Sequence, residues 1–114
     1  MQTKRFCFAC DLKDDPVLID KYKDYHAPSN LRPAITKSIK DAGIVDMQIY
    51  LTGNRMFMIM EVDETFSFTR KQEMDANNPA VQDWEQLMWN FQQTLPWAKP
   101  GEKWILMEQI FQLE

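Results

Sequence analysis

Apolar and polar residues alternate from Thr3 to Leu12, and Phe6, Phe8, Cys10 and Leu12 fall on one side. That is the period of a strand with one face against a core. The pattern changes at Asp14-Asp15-Pro16. A carboxylate cap followed by a proline in the first turn is a helix start, and it predicts a helix from Pro16 to about His26. Ala27-Pro-Ser-Asn30 breaks that helix, and a second covers about Leu31 to Ala42, with Gly43 as its C-terminal stop. Ile44 to Leu51 is rich in β-formers, Gly53-Asn54 is a turn signal, and Arg55 to Asp63 reads as another strand, so the two runs predict a hairpin.

Glu64 to Ala76 has a weaker helical pattern. Asn77-Asn78-Pro79 repeats the cap-then-proline signature and opens a helix that runs to about Leu95, with Trp84, Leu87, Met88, Phe91 and Leu95 on one stripe. Pro96 and Lys99-Pro-Gly101 end it, and Trp104 to Leu113 reads as a last strand. The predicted order is β-α-α-β-β-α-α-β, a split βαβ arrangement with doubled crossover helices. It predicts one α+β domain over residues 1–114: a four-stranded antiparallel sheet with helices on one face. The Arg55–Asp63 strand is apolar on both sides, with Phe57 and Ile59 on one and Met56, Met58 and Met60 on the other. A homodimer packed sheet against sheet would cover the second side.

Composition narrows the function classes. The 114 residues carry a net charge of -4, a pI near 5.0, 45% hydrophobic and 26% charged residues. These values fit an ordinary globular chain. The acidic balance and the lack of a Lys/Arg cluster argue against nucleic acid as the main partner. No apolar run approaches the ~18 residues of a membrane span, and no signal-peptide pattern opens the chain. The expectation is a soluble cytoplasmic protein. Cys7 and Cys10 form a C-x-x-C, the spacing of redox sites. On a strand, residues three apart face opposite ways and are poorly placed to bond, so two small packing residues in a reducing compartment is the favoured reading.

Three residues are candidates for chemistry. His26, the sole histidine, lies four residues after Tyr22, on the same side of the helix and beside a loop. It is either a proton-transfer group or a C-capping imidazole at the helix dipole. A single imidazole and no well-placed thiol pair argue against the common zinc sites. Glu61 interrupts the apolar run from Phe57 to Val62, and is either an acid, base or hydroxyl acceptor, or half of a cross-strand ion pair. Trp84 stands beside Gln82, Asp83 and Glu85. An indole flanked by hydrogen-bonding groups suits a sugar ring, whereas its place on the apolar stripe suits plain core.

Together, Tyr22-Lys-Asp-Tyr-His26, Gly43-Ile44, Gln48-Ile-Tyr-Leu51, Met56-Phe57 leading to Glu61, and Gln82-Asp-Trp84 resemble the L-rhamnose mutarotase family over nearly the whole chain. The resemblance implies a dimeric α+β barrel of ferredoxin-like type that interconverts the α and β anomers of a 6-deoxy-hexose without cofactor or metal. It places the acid/base role on His26 and sugar contacts on Tyr22 and Trp84. Three positions depart from the family pattern. Arg32-Pro33 stands where Trp-Pro is usual, Met47 where a strand tyrosine contacts sugar, and Glu85 where a second helix tryptophan stands. A carboxylate in place of a ring reads a hydroxyl differently, so Glu85 joins Glu61 among the expected substrate contacts. The departures favour L-fucose over L-rhamnose. Two rival readings share the fold: a non-catalytic dimeric ligand-binding module, and a cofactor-free or haem-handling monooxygenase.

Overall fold

The computed structural model describes residues 2–113. β1 (Lys4–Leu12) leads through α1 (Pro16–Tyr25), a 3-10 turn (Pro28–Asn30) and α2 (Pro33–Asp41) to the hairpin of β2 (Ile44–Thr52) and β3 (Arg55–Val62). α3 (Phe68–Ala76) and α4 (Pro79–Trp89) follow, then two short strands, β4 (Gln92–Gln93) and β5 (Ile105–Leu106). The sheet order is β2-β3-β1-β4, and β5 also pairs with β1. All pairings are antiparallel.

The predicted start signals are the caps that form. Asp15 accepts from the amides of Val17 and Leu18 at the head of α1, and Asn78 accepts from Ala80 at the head of α4. Each satisfies helix N–H groups that have no partner within the helix. Gly43 follows α2 with a φ of 94°. A Cβ there would stand 2.5 Å from Thr65 Oγ1 and 2.7 Å from Asp63 Oδ1. Both the conformation and the close approach therefore require glycine.

The core divides in two along the helix-facing side of the sheet. Cys10, Leu12 and Met56 pack with Tyr22, Met88 and Phe91, beside Ile49, Leu51, Trp84 and Trp104. Ala42, Ile44, Met60 and Val62 pack with Phe6, Phe8, Phe66 and Met74. Cys7 pairs with Ile59 and Cys10 with Met56 in the ladder, so the two cysteines face opposite sides, and both are free thiols. Burial pushes the Cys10 thiol up to about 12.

The structure corrects the sequence reading at the C-terminal end. α4 stops at Trp89, not near Leu95, and the chain turns into β4. Phe91 and Leu95 are still buried, so their apolar spacing marks the core rather than a continuing helix. The run expected as a strand from Trp104 to Leu113 pairs only at Ile105 and Leu106. Beyond it Ile110, Phe111 and Leu113 are 88%, 75% and 82% exposed. β4 and β5 both pair with β1, in place of the single last strand expected from Trp104 to Leu113. α3 also starts later than expected, at Phe68, where Ser67 caps it by accepting from the Arg70 amide. No helix among the described residues is long and apolar enough to cross a membrane.

Candidate active site

The last turn of α1 builds the site. Tyr22 and His26, one turn apart, lie on the face that α1 turns to the sheet. Tyr22 is buried and belongs to the core, whereas His26, the C-cap, is half-buried at its margin. Their rings stack with centroids 4.4 Å apart and planes 31° from parallel. With Leu12, Lys23, Ile49, Leu51 and Met56 they line a cavity of about 130 Å³. Its floor is the apolar side of β1, β2 and β3, and its polar groups come from α1.

The backbone sets the state of His26. Its Nδ1 lies 2.8 Å from the carbonyl oxygen of Tyr22. A carbonyl only accepts, so Nδ1 carries the proton and Nε2 keeps its lone pair. Burial lowers the pKa of His26 below its ordinary 6.5, against the opposing pull of that backbone bond. The ring is therefore neutral at pH 7, with one nitrogen spoken for and the other free to accept a proton.

Trp84, on α4, packs against His26 without lining the cavity itself. Its ring meets that of His26 edge-on, with centroids 5.5 Å apart and a 66° angle between planes, and Tyr25 is likewise edge-on to it. The guanidinium of Arg32, in the loop before α2, lies 5.2 Å over the Trp84 ring. A cation over an indole face is attracted by the ring's quadrupole. The pair brings planar donors of a charged group to the site's edge, where the family pattern has an aromatic residue.

Tyr22 is fixed from behind. Its hydroxyl accepts a 3.1 Å hydrogen bond from Gln92 Nε2, and burial pushes the phenol up to about 12. The phenol is thus protonated at every physiological pH. The sequence reading missed Gln92. The available signal was a carboxamide four residues after Met88 on an otherwise apolar stripe.

The structure does not bring the two glutamates to this cavity. Glu61 lies on the other side of the sheet, opposite Arg5 in the ladder, and its Oε1 is 2.8 Å from the guanidinium. The hydrogen bond from Arg5 holds its carboxyl below the usual carboxylate range. Strand alternation turns Glu61 away from His26, and its carboxylate sits in a cross-strand ion pair with Arg5. Glu85 is half-buried on α4 and is not among the residues lining the cavity. Its charge acts on Lys103, whose pKa burial lowers and Glu85 raises. Among the described residues, no three His, Cys, Asp or Glu side chains cluster in a way that could hold a metal ion.

An imidazole with one free nitrogen and a protonated phenol line a small hollow on a ferredoxin-like scaffold, and an indole stands edge-on to the imidazole. Comparison with known proteins places it. The family model for L-rhamnose mutarotase matches residues 5–113. An L-fucose mutarotase from Xanthomonas campestris pv. campestris is 42% identical over 99% of this chain and 90% of its own. The crystal structure of an L-rhamnose mutarotase from Formosa agariphila superposes with a TM-score of 0.70 at 25% identity, covering 97% of this chain and 99% of the other. Tetracenomycin F2 cyclase from Streptomyces glaucescens shares the fold alone, with a TM-score of 0.63 at 12% identity and 97% of each chain covered. The chain belongs to the L-rhamnose mutarotase family.

Proposed function

We infer that the protein is a sugar mutarotase that interconverts the α and β anomers of a 6-deoxy-hexose, with L-fucose its preferred substrate. The observation that carries this reading is the unprotonated Nε2 of His26, oriented by the Tyr22 carbonyl and set at a cavity that Tyr22 also lines. The preference for L-fucose rests on the 42% identical relative, which is an L-fucose mutarotase, and on Arg32, which lies over Trp84.

The chemistry is proton transfer at one carbon. His26 Nε2 takes the proton from the anomeric hydroxyl. The electron pair left on that oxygen forms the carbonyl, and the bond from C1 to the ring oxygen breaks. The ring oxygen then takes the proton from the imidazolium. Both oxygens are bonded to C1, so one imidazole reaches both. Rotation about C1–C2 exposes the other face of the aldehyde, and the reverse steps close the ring as the other anomer. The Tyr22 hydroxyl donates to the ring oxygen as charge builds there, and the Trp84 ring packs against the sugar's C–H groups. General acid–base catalysis of this kind supplies about 10²–10⁴-fold.

The active form in this reading is a homodimer in the cytoplasm. On the sheet side away from the helices, Phe57 and Ile59 are half-buried and Tyr50 is 56% exposed. The apolar residues Ile110, Phe111 and Leu113 of the tail are exposed. A second copy covers both. Two unpaired cysteines fit a reducing compartment. The activity is tested by saturation-transfer NMR on L-fucose and L-rhamnose: enzyme-dependent exchange between anomeric protons, greater for L-fucose, is expected, and exchange equal to buffer alone rejects the reading.

A further inference from the structure

Gln92 makes an unusual pair of commitments. It is 4% exposed and comes from β4, opposite Leu12, which itself lines the cavity. Its Nε2 donates to Tyr22 Oη at 3.1 Å. Its Oε1 is buried and has no hydrogen-bond partner among the described residues. A buried carboxamide kept for structure alone satisfies both ends, because an unmet buried acceptor is destabilising. This one meets a single group, the phenol that stacks on His26.

The geometry also decides which way the phenol's own proton goes. A hydroxyl has one donor and two lone pairs. The amide nitrogen is a donor only, so the bond from Gln92 occupies a lone pair of Oη and the O–H must point elsewhere. If the amide were turned over, Oε1 would take the phenol proton, and Tyr22 would present only lone pairs to a ligand. The amide orientation therefore selects whether Tyr22 acts on the cavity as donor or acceptor.

We propose that Gln92 is a positioning residue that holds Tyr22 as a hydrogen-bond donor toward the sugar's ring oxygen. It touches no substrate and acts through the phenol. The proposal rests on the mutarotase reading above and deepens it by assigning Tyr22's polarity to a residue outside the cavity. It also predicts a preference within sugars: the ligand must present an acceptor, not a donor, to Oη.

A double-mutant cycle on the full chain tests it. Gln92→Met keeps the side chain's length and removes the amide; Tyr22→Phe removes the hydroxyl. Rate constants come from saturation-transfer NMR on L-fucose, and folding from circular dichroism and Tm. We expect Gln92→Met to lower kcat about tenfold, the factor of one hydrogen bond, with KM little changed. In the Tyr22→Phe background the same substitution has no further effect on kcat, because its target is gone. A structural role would carry its loss into both backgrounds. An equal loss with and without the Tyr22 hydroxyl, or unchanged kcat in Gln92→Met, overturns the proposal. If Gln92→Met does not fold, Gln92→Leu enters the cycle under the same criteria. Absence of exchange in the parent chain overturns the mutarotase reading and this proposal together, whereas a fully active Gln92→Met overturns only the latter.

Discussion

The imidazole of His26 donates from Nδ1 to the carbonyl oxygen of Tyr22, one helical turn earlier, at 2.8 Å. One residue pair thus supplies a base whose tautomer is set by the helix itself and a ring that stacks against it at 4.4 Å. The carbonyl belongs to the last turn of α1, whose oxygens have no partners within the helix. The C-capping geometry and the candidate catalytic geometry are the same bond.

The pH dependence follows from the burial of that ring. His26 has a folded-state pKa below its ordinary 6.5. In the proposed mechanism the neutral form is the base, so kcat/KM should stay level through neutrality and fall on the acid side, with a midpoint below pH 6.5. The stability term has a matching sign. Between the two pKa values the unfolded chain binds more protons, so the contribution of neutral His26 is complete above about pH 6.5 and declines as pH falls toward the folded value. A pH–rate profile with its acid limb centred above 6.5 contradicts this.

Trp84 is tested by separating binding from stability. Trp84→Ala removes the edge contact with His26 and the surface under Arg32. The expected result is a KM raised several-fold in anomer-exchange assays. A lower Tm with unchanged KM means that the indole is core only.

Cys10 is fully buried, with its thiol near 12. A thiolate-seeking reagent at pH 8 should leave Cys10 unmodified in the native protein and label it only after denaturation. Peptide mapping of the labelled chain checks this. Rapid native labelling at Cys10 is inconsistent with the packing of β1 against Met56 and Met88.

Gly43→Ala should destabilise by more than about 1 kcal/mol, because it adds a Cβ at positive φ against two side-chain oxygens. Chemical denaturation measures it, and a change under about 0.5 kcal/mol, the range of neutral surface changes, counts against the described α2–β2 junction.

Much of this fold is readable because short-range signals and the global pattern agree. The alternation through Phe6, Phe8, Cys10 and Leu12 gives β1, and the caps at Asp15 and Asn78 set two helix starts. Glu61 was ambiguous in sequence because its meaning depends on Arg5, a residue 56 positions away that only the strand register reveals. Leu106 to Leu113 is rich in apolar residues but does not alternate, and its backbone meets β1 only through the ladder at Ile105 and Leu106 and the Met107 amide on the Cys7 carbonyl. Gln92 escaped notice for a related reason. Periodicity ranks positions by apolarity, and a buried amide with one partner looks like an interruption of the stripe.

The exposed tail leads to a prediction about assembly. Sedimentation at micromolar concentration should give twice the chain's 13.6 kDa, and Phe111→Asp should shift the mass toward the monomer. A monomeric parent chain rejects the dimer.

The central claim is that one imidazole carries the proton, and a single comparison addresses it. Saturation-transfer NMR on L-fucose, with the parent chain and His26→Ala at equal concentration and circular dichroism confirming that both are folded, reads the anomer-exchange rate directly. The account predicts that enzyme-dependent exchange falls by about 10²-fold or more in the variant. Near-parental exchange in a folded His26→Ala contradicts it.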